Sequence, residues 1–302
     1  MKLLITGAWQ YSEEQLNHIK SLGHSVVFMQ NESDALPCAS DEVEGVICNG
    51  LFLHHPIEKF VNLRYIQLTS AGFDRVDMRY VEERGITIHN ARGVYSIPMA
   101  EFAISGVLAL YKQSAFFARN CIDKVWQKHR GVLELYAKTV CIVGAGNVGT
   151  ECAKRFGAFG TRVIGVDLYP RVDSNYERIY HLDDIDEALS IADIVVLTLP
   201  LTQETRHLIN SDRLSKMKVG STLVNIARGA VVDESALLEA LESKLLGAVL
   251  DVFETEPLPS TNPLWNCPNV IITPHNSFVG DGNADRLYSV IIDNLGGSRI
   301  YD

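Results

Sequence analysis

Arg228 lies in the run Asn225-Ile226-Ala227-Arg228-Gly229, Glu256 in Asp251-Val252-Phe253-Glu254-Thr255-Glu256-Pro257, and His275 in Thr273-Pro274-His275-Asn276. Each run follows an apolar, strand-like stretch. In an α/β protein, ligands bind at the carboxyl ends of parallel strands. A guanidinium is a planar fork of donors suited to carboxylate and carbonyl oxygens. An imidazole changes charge near neutral pH and can give or take a proton. A carboxylate beside it fixes which ring nitrogen faces outward. Together the three residue types suit the reduction of a small oxoacid. Arg228 would hold the substrate oxygens, His275 would be the general acid/base, and Glu256 would pair with His275. Glu254 reads as a solvated loop carboxylate.

A second constellation supplies a place for the hydride carrier. Val140-Cys141-Ile142-Val143 leads into Gly144-Ala145-Gly146-Asn147-Val148-Gly149, and a further strand, Arg162–Val166, ends at Asp167, 18 residues after Gly149. A lone Gly-x-Gly-x-x-Gly is weak, but between a strand and a helix, with an acid at this spacing, it reads as a dinucleotide-binding turn. Gly144 would make the tight turn, Gly146 would admit the pyrophosphate, and Gly149 would let helix and strand pack closely. The helix N-terminus would attract the phosphates. Asp167 would accept from the ribose hydroxyls and repel a 2′-phosphate, favouring NAD over NADP. Arg171, close by, weakens that preference.

The elements that must hold these residues alternate throughout the chain, which predicts parallel sheets covered by helices. Strands are predicted near 2–6, 25–29, 45–48, 64–69 and 86–89, with a helix from Ser12 to Leu22. From Thr139 a new alternation predicts six strands, at 139–143, 162–166, 194–198, 221–226, 247–252 and 270–273. Helices are predicted at 147–158, 185–191, 211–216 and 233–242, the last capped by Asp233. A final helix near 283–295 would end at Gly296-Gly297. Between the two alternations a long helix is predicted over 97–119, capped by Ser96 with Pro98 in its first turn. Its stretch Phe102–Leu110 is apolar on nearly every face, so it is either an internal core helix or, with the arm to about Trp126, a surface for a second subunit.

The bulk numbers narrow the function classes. A chain of 302 residues has room for two domains, and 47% hydrophobic with 21% charged residues is ordinary for a globular protein. The net charge of −10 argues against a nucleic-acid partner. The six cysteines are scattered without a Cys-x-x-Cys pair, which predicts reduced thiols in the cytoplasm and no metal site. No apolar run approaches the ~18–20 residues of a membrane span. The start, Met1–Gly7, is too short for a signal peptide and reads as a first strand.

Together these motifs resemble the D-isomer-specific 2-hydroxyacid dehydrogenase family. The resemblance is densest from Thr139 to Asn276 and rests on four further runs: Leu199–Asn210, Met217–Glu234, Asp251–Pro259 and Ile272–His275. It implies two Rossmann-like or flavodoxin-like α/β domains. One is an NAD-binding doubly wound parallel sheet, residues 96–276. The other is a smaller, discontinuous substrate-binding domain, residues 1–95 with 277–302. It also implies Arg228, Glu256 and His275 as the catalytic set, Asp251 near the nicotinamide amide, and NAD contacts from Leu199, Pro200, Thr205, Ile226 and Ala227. Ser70-Ala71-Gly72 looks like the family loop whose backbone N–H groups hold a substrate carboxylate. A homodimer built on the long helix is implied as well. After His275 the chain departs from the family with Asn276-Ser277-Phe278-Val279-Gly280, and Asn49-Gly50-Leu51-Phe52 lacks the arginines of phosphoglycerate-specific relatives. The expected activity is NAD-dependent interconversion of a small 2-oxoacid and its D-2-hydroxyacid. Two other readings stay open: a dinucleotide-sensing protein on the same scaffold, and a related dehydrogenase of formate or phosphite type.

Overall fold

In the computed structural model, which describes residues 1–296, the chain divides into two compact units. One is Met1–Tyr95 with the segment from Gly280 onward; the other is Ser96–Val279. The first runs β1 (Lys2–Thr6), α1 (Glu13–Ser21), β2 (Ser25–Met29), β3 (Gly45–Cys48), β4 (Tyr65–Leu68), α2 (Met78–Glu83) and β5 (Thr87–His89). Ser12 opens α1 with a capping box: its hydroxyl accepts from the Gln15 N–H, and the Gln15 side chain accepts from the Ser12 N–H. The five strands are all parallel, in the flavodoxin-like order β2-β1-β3-β4-β5.

The second unit runs α3 (Ser96–Tyr111), α4 (Ser114–Asp123), β6 (Thr139–Val143), α5 (Asn147–Ala158), β7 (Arg162–Asp167), β8 (Arg178–His181), α6 (Ile185–Ile191), β9 (Ile194–Leu197), α7 (Ser211–Lys216), β10 (Thr222–Asn225), α8 (Glu234–Ser243), β11 (Gly247–Leu250) and β12 (Val270–Ile272). Its parallel sheet has the order β12-β11-β10-β9-β6-β7-β8. The order reverses between β6 and β9, the switch point at which such sheets bind ligands. Side chains alternate across each strand. Cys141, Val143, Val195, Leu197 and Leu223 therefore pack on one face with α6, α7 and α8, while Val140, Ile142, Val196, Val224 and Val249 pack on the other with α3 and α5. The final helix, α9 (Asn283–Asn294), belongs to the first unit, where Leu287, Tyr288, Ile291 and Ile292 cover Leu3, Ile5 and Ile47.

Four local expectations need correction. The second sheet has seven strands, not six. The extra one, β8, is a short edge strand with only Ile179 and Tyr180 buried, too little alternation to stand out. The helix expected over 97–119 is two helices. Gln113 takes a left-handed conformation (φ 56°), and both its N–H and its side-chain amide donate to the Leu110 carbonyl, ending α3 where no Gly or Pro marks a break. Ser96 is the first helical residue of α3 rather than its cap, and it is buried. The short helix α2, capped by Asp77, is an element the sequence pattern did not reveal. Asp233 caps α8, accepting from the N–H groups of Ser235 and Ala236. Gly297, expected at the end of the final helix, lies outside the described residues.

The apolar helix α3 is a core helix along much of its length, with Ala100, Ala103 and Val107 fully buried. Its close seat on β11 depends on Gly106, where an added Cβ would lie 2.5 Å from Val249 Cγ1. Gly106→Val is expected to lower stability by about 1–3 kcal/mol through overpacking. Urea denaturation checks this; an unchanged midpoint would show that α3 is not tightly seated on β11.

Candidate active site

The glycine turn after β6 is built as its spacing predicts. Gly144 has φ 101°, and a Cβ there would lie 2.8 Å from the Leu199 nitrogen, so backbone conformation and the chain after β9 both demand glycine. Thr198 fastens that chain by donating from Oγ1 to the Gly144 carbonyl at 2.6 Å. A Cβ on Gly149 would meet the Gly144 oxygen at 2.1 Å, so turn and helix pack without room for a side chain. Gly146, by contrast, faces open space, with nothing within 4 Å of an added Cβ. It begins α5 without a side-chain cap, and the first turn carries no acidic residue. An open face above an uncapped helix start fits the pyrophosphate of a dinucleotide.

Asp167 ends β7 beside this turn. Its Oδ2 accepts from the Ala145 N–H at 2.8 Å and its Oδ1 from the Tyr169 N–H at 3.0 Å. Arg171 donates to the Ala145 carbonyl at 2.5 Å and lies 3.4 Å from Asp173. Thr205 is buried, donating to the Pro200 carbonyl at 2.8 Å and accepting from the Thr202 N–H at 2.7 Å, so it shapes the turn after β9. Leu199, Ile226 and Ala227 are buried, while Asn147 and Pro200 are exposed and Val148 half-buried.

The three chemical residues follow β10, β11 and β12. Arg228 is exposed between buried Ala227 and buried Gly229, and one guanidinium nitrogen donates to the Ala227 carbonyl at 2.7 Å. Asn225 stiffens this turn from both sides, accepting from the Ala227 N–H and donating to the Arg228 carbonyl, each at 3.1 Å. An added Cβ on Gly229 would fall 1.8 Å from the Phe253 carbonyl carbon. The loops carrying Arg228 and Glu256 thus touch backbone to backbone. Glu256 accepts from the Phe253 N–H at 2.9 Å through Oε1 and meets His275 Nδ1 at 2.8 Å through Oε2. His275 itself sits at φ 51°, an uncommon conformation for a residue with a Cβ.

Asp251 holds that conformation in place. It is fully buried at the end of β11. Its N–H donates to the Asn225 carbonyl and its carbonyl accepts from the His275 N–H at 2.8 Å. Its carboxylate accepts from Thr273 Oγ1 and the Asn276 N–H at 2.7 Å each, and from the Ser277 N–H at 2.9 Å. Asp251, expected near the nicotinamide amide, directs both carboxylate oxygens to the loop that carries His275. Its place at the end of an apolar strand was the signal; its partners were not legible. Glu254, read as a solvated loop carboxylate, is exposed. It exchanges hydrogen bonds with Glu234, and its Oε1 lies 3.3 Å from His207 Nε2.

In the first unit, Ser70-Ala71-Gly72 follows β4. Its three carbonyls accept from the Ala91 N–H, the Asn90 side-chain amide and the Ser70 hydroxyl respectively. Among the described residues, no group of three or more His, Cys, Asp and Glu is arranged to hold a metal, and no helix is long and apolar enough to cross a membrane.

Residues 104–277 match the family model described as D-isomer specific 2-hydroxyacid dehydrogenase, NAD binding domain. The chain belongs to the D-isomer-specific 2-hydroxyacid dehydrogenase family. It is thus an oxidoreductase of a family built on an NAD-binding domain. It is 37% identical to a glyoxylate reductase of Thermofilum pendens over 257 residues, covering 81% of this chain and 72% of that protein. It is 39% identical to a D-3-phosphoglycerate dehydrogenase of Methanocaldococcus jannaschii over 222 residues, 72% of this chain but only 42% of that longer protein. Its fold is similar to that of a D-lactate dehydrogenase from Aquifex aeolicus, solved with NAD and lactic acid, with a TM-score of 0.77, 27% identity and coverage of 98% and 94% of the two chains.

Removing the buried Asp251 carboxylate leaves three donors of the His275 loop without their acceptor. Asp251→Ala is expected to cost about 2–4 kcal/mol of stability. Chemical denaturation of the purified variant measures it; a loss below about 0.5 kcal/mol would show the loop is held elsewhere.

Proposed function

We propose that this chain reduces a small 2-oxoacid to the D-2-hydroxyacid with NADH, and catalyses the reverse oxidation with NAD. The observation that carries this reading is the 2.8 Å contact between His275 Nδ1 and Glu256 Oε2, in a ring whose other nitrogen, Nε2, then serves the substrate. Bound NADH would supply the hydride. Arg228 would hold the substrate carboxylate and polarise the carbonyl, which its partly uncommitted guanidinium suits. His275 would give its proton to the carbonyl oxygen as that oxygen becomes a hydroxyl, with Glu256 stabilising the charged ring. Within the first unit, Ser70-Ala71-Gly72 is the segment proposed to bind substrate through backbone N–H groups.

Gly144–Gly149, Asp167, Leu199, Pro200, Thr205, Ile226, Ala227 and Asp251 are the residues proposed to hold or frame the cofactor. NAD is favoured over NADP because the Asp167 carboxylate borders the turn and Arg171 is already engaged by Ala145 and Asp173. A phosphorylated substrate is disfavoured. The N–H groups of Asn49 and Gly50 donate to Glu32 at 2.7 and 2.6 Å, so this loop carries a carboxylate where a phosphate would need donors. Six free thiols support a reducing, cytoplasmic setting. A homodimer is proposed on α4 and the arm that follows it. That helix buries no residue, and Ile122, Val125 and Trp126 are 73%, 48% and 99% exposed.

The decisive assay follows NADH absorbance with glyoxylate, hydroxypyruvate, pyruvate and branched 2-oxoacids, with chiral analysis of the product. Turnover to a D-hydroxyacid is expected. NADH binding without turnover would instead favour a sensor, and an L-product would refute the stereochemistry. His275→Asn is expected to lower kcat by about 10²–10⁴-fold while NADH still binds. Trp126→Glu is expected to turn a dimer into a monomer by light scattering.

A further inference from the structure

The His207 ring stands where three segments of the second unit meet. It continues the turn after β9 that Thr205 shapes, through the bond from the Leu208 N–H to the Thr205 carbonyl. Its own N–H donates at 2.8 Å to the carbonyl of Ala230, two residues beyond Arg228. Its Nε2 is buried and lies 3.3 Å from Glu254 Oε1, two residues before Glu256. The contact is close but lacks hydrogen-bond alignment. His207 also holds φ 49°, a conformation that costs energy for a residue with a Cβ and needs support from its surroundings.

Glu254 is fixed from its other side. Its N–H donates to Glu234 Oε1 at 2.6 Å, and its Oε1 accepts from the Glu234 N–H at 3.2 Å, at the start of α8. Asn262 donates to the second oxygen of Glu234 at 3.3 Å. Phe253, next to Glu254, supplies the N–H that holds Glu256 Oε1, while its carbonyl abuts Gly229. Any shift of Glu254 therefore moves the donor that aims Glu256 at His275.

We propose that Glu254 and His207 are a pair of positioning residues: their polar contact clamps the 253–256 loop against the loop of Arg228, and so sets the Glu256 carboxylate that orients His275. Neither touches the reacting atoms. Their effect passes through the Phe253 N–H. The part of this proposal that concerns turnover rests on the oxoacid-reductase reading; the part that concerns the His275 ring does not.

The test uses the full chain with Glu254→Ala, His207→Ala, the double variant and the conservative Glu254→Gln, each confirmed folded by circular dichroism. The first readout is the nitrogen chemical shifts of the His275 ring without substrate. In the native chain they should report Nδ1 hydrogen-bonded to carboxylate; in Glu254→Ala they should move toward a mixture of tautomers, and Glu254→Gln should restore most of the native pattern. The second is steady-state reduction at saturating NADH. There kcat should fall roughly 10-fold in either alanine variant, with the double variant no worse than the poorer single one. NADH affinity should stay within about threefold, since the nucleotide turn is intact. Native ring shifts in a folded Glu254→Ala chain would overturn the proposal whatever the activity shows. Shifted ring signals in a chain that reduces no 2-oxoacid would leave the positioning standing and defeat the reaction assigned to it.

Discussion

Asp251 ties together the ends of three parallel strands. Its N–H reaches the end of β10, its carbonyl takes the His275 N–H beyond β12, and its buried carboxylate gathers three donors of the same loop. A carboxylate without solvent is costly unless its lone pairs are met, so this one is stable only with the 273–277 loop wrapped around it. That wrapping imposes the positive φ of His275. The uncommon backbone of the proposed acid/base is thus sustained by an acid that never meets solvent.

A second constraint is steric. With 1.8 Å between an imagined Gly229 Cβ and the Phe253 carbonyl carbon, the loops after β10 and β11 are in backbone contact. Arg228 and Glu256 are therefore set against each other without a flexible side chain between them. The nucleotide turn follows the same logic at the switch point, where Gly144 meets the Leu199 backbone and Gly149 meets Gly144. In both places glycine is needed because main chain packs on main chain, and the neighbouring functional group gains a fixed direction as a result.

Much of this was legible in the residues. Apolar runs four to six residues long, separated by capped helices, predicted the parallel alternation, because both faces of a buried parallel strand need apolar side chains. Gly144–Gly149 and Asp167 were legible because their spacing answers to a single turn and a single strand. Arg228, Glu256 and His275 stood out because charged residues directly after apolar strands are seldom needed for packing. β8 and the break at Gln113 were not legible. An edge strand with two buried residues lacks a period, and a left-handed glutamine carries no mark in its side chain.

The sequence by itself determined which chemical groups are present and which strand ends carry them, since those follow from local pattern and composition. Only the tertiary structure decided their partners. That Glu256 meets His275 across 19 residues, that Asp251 holds the 273–277 loop, and that the exposed Glu254 lies beside His207 all depend on register between strands far apart in the chain. Residue type predicts what a carboxylate can bind; the neighbour that arrives is set by how the sheet orders its strands.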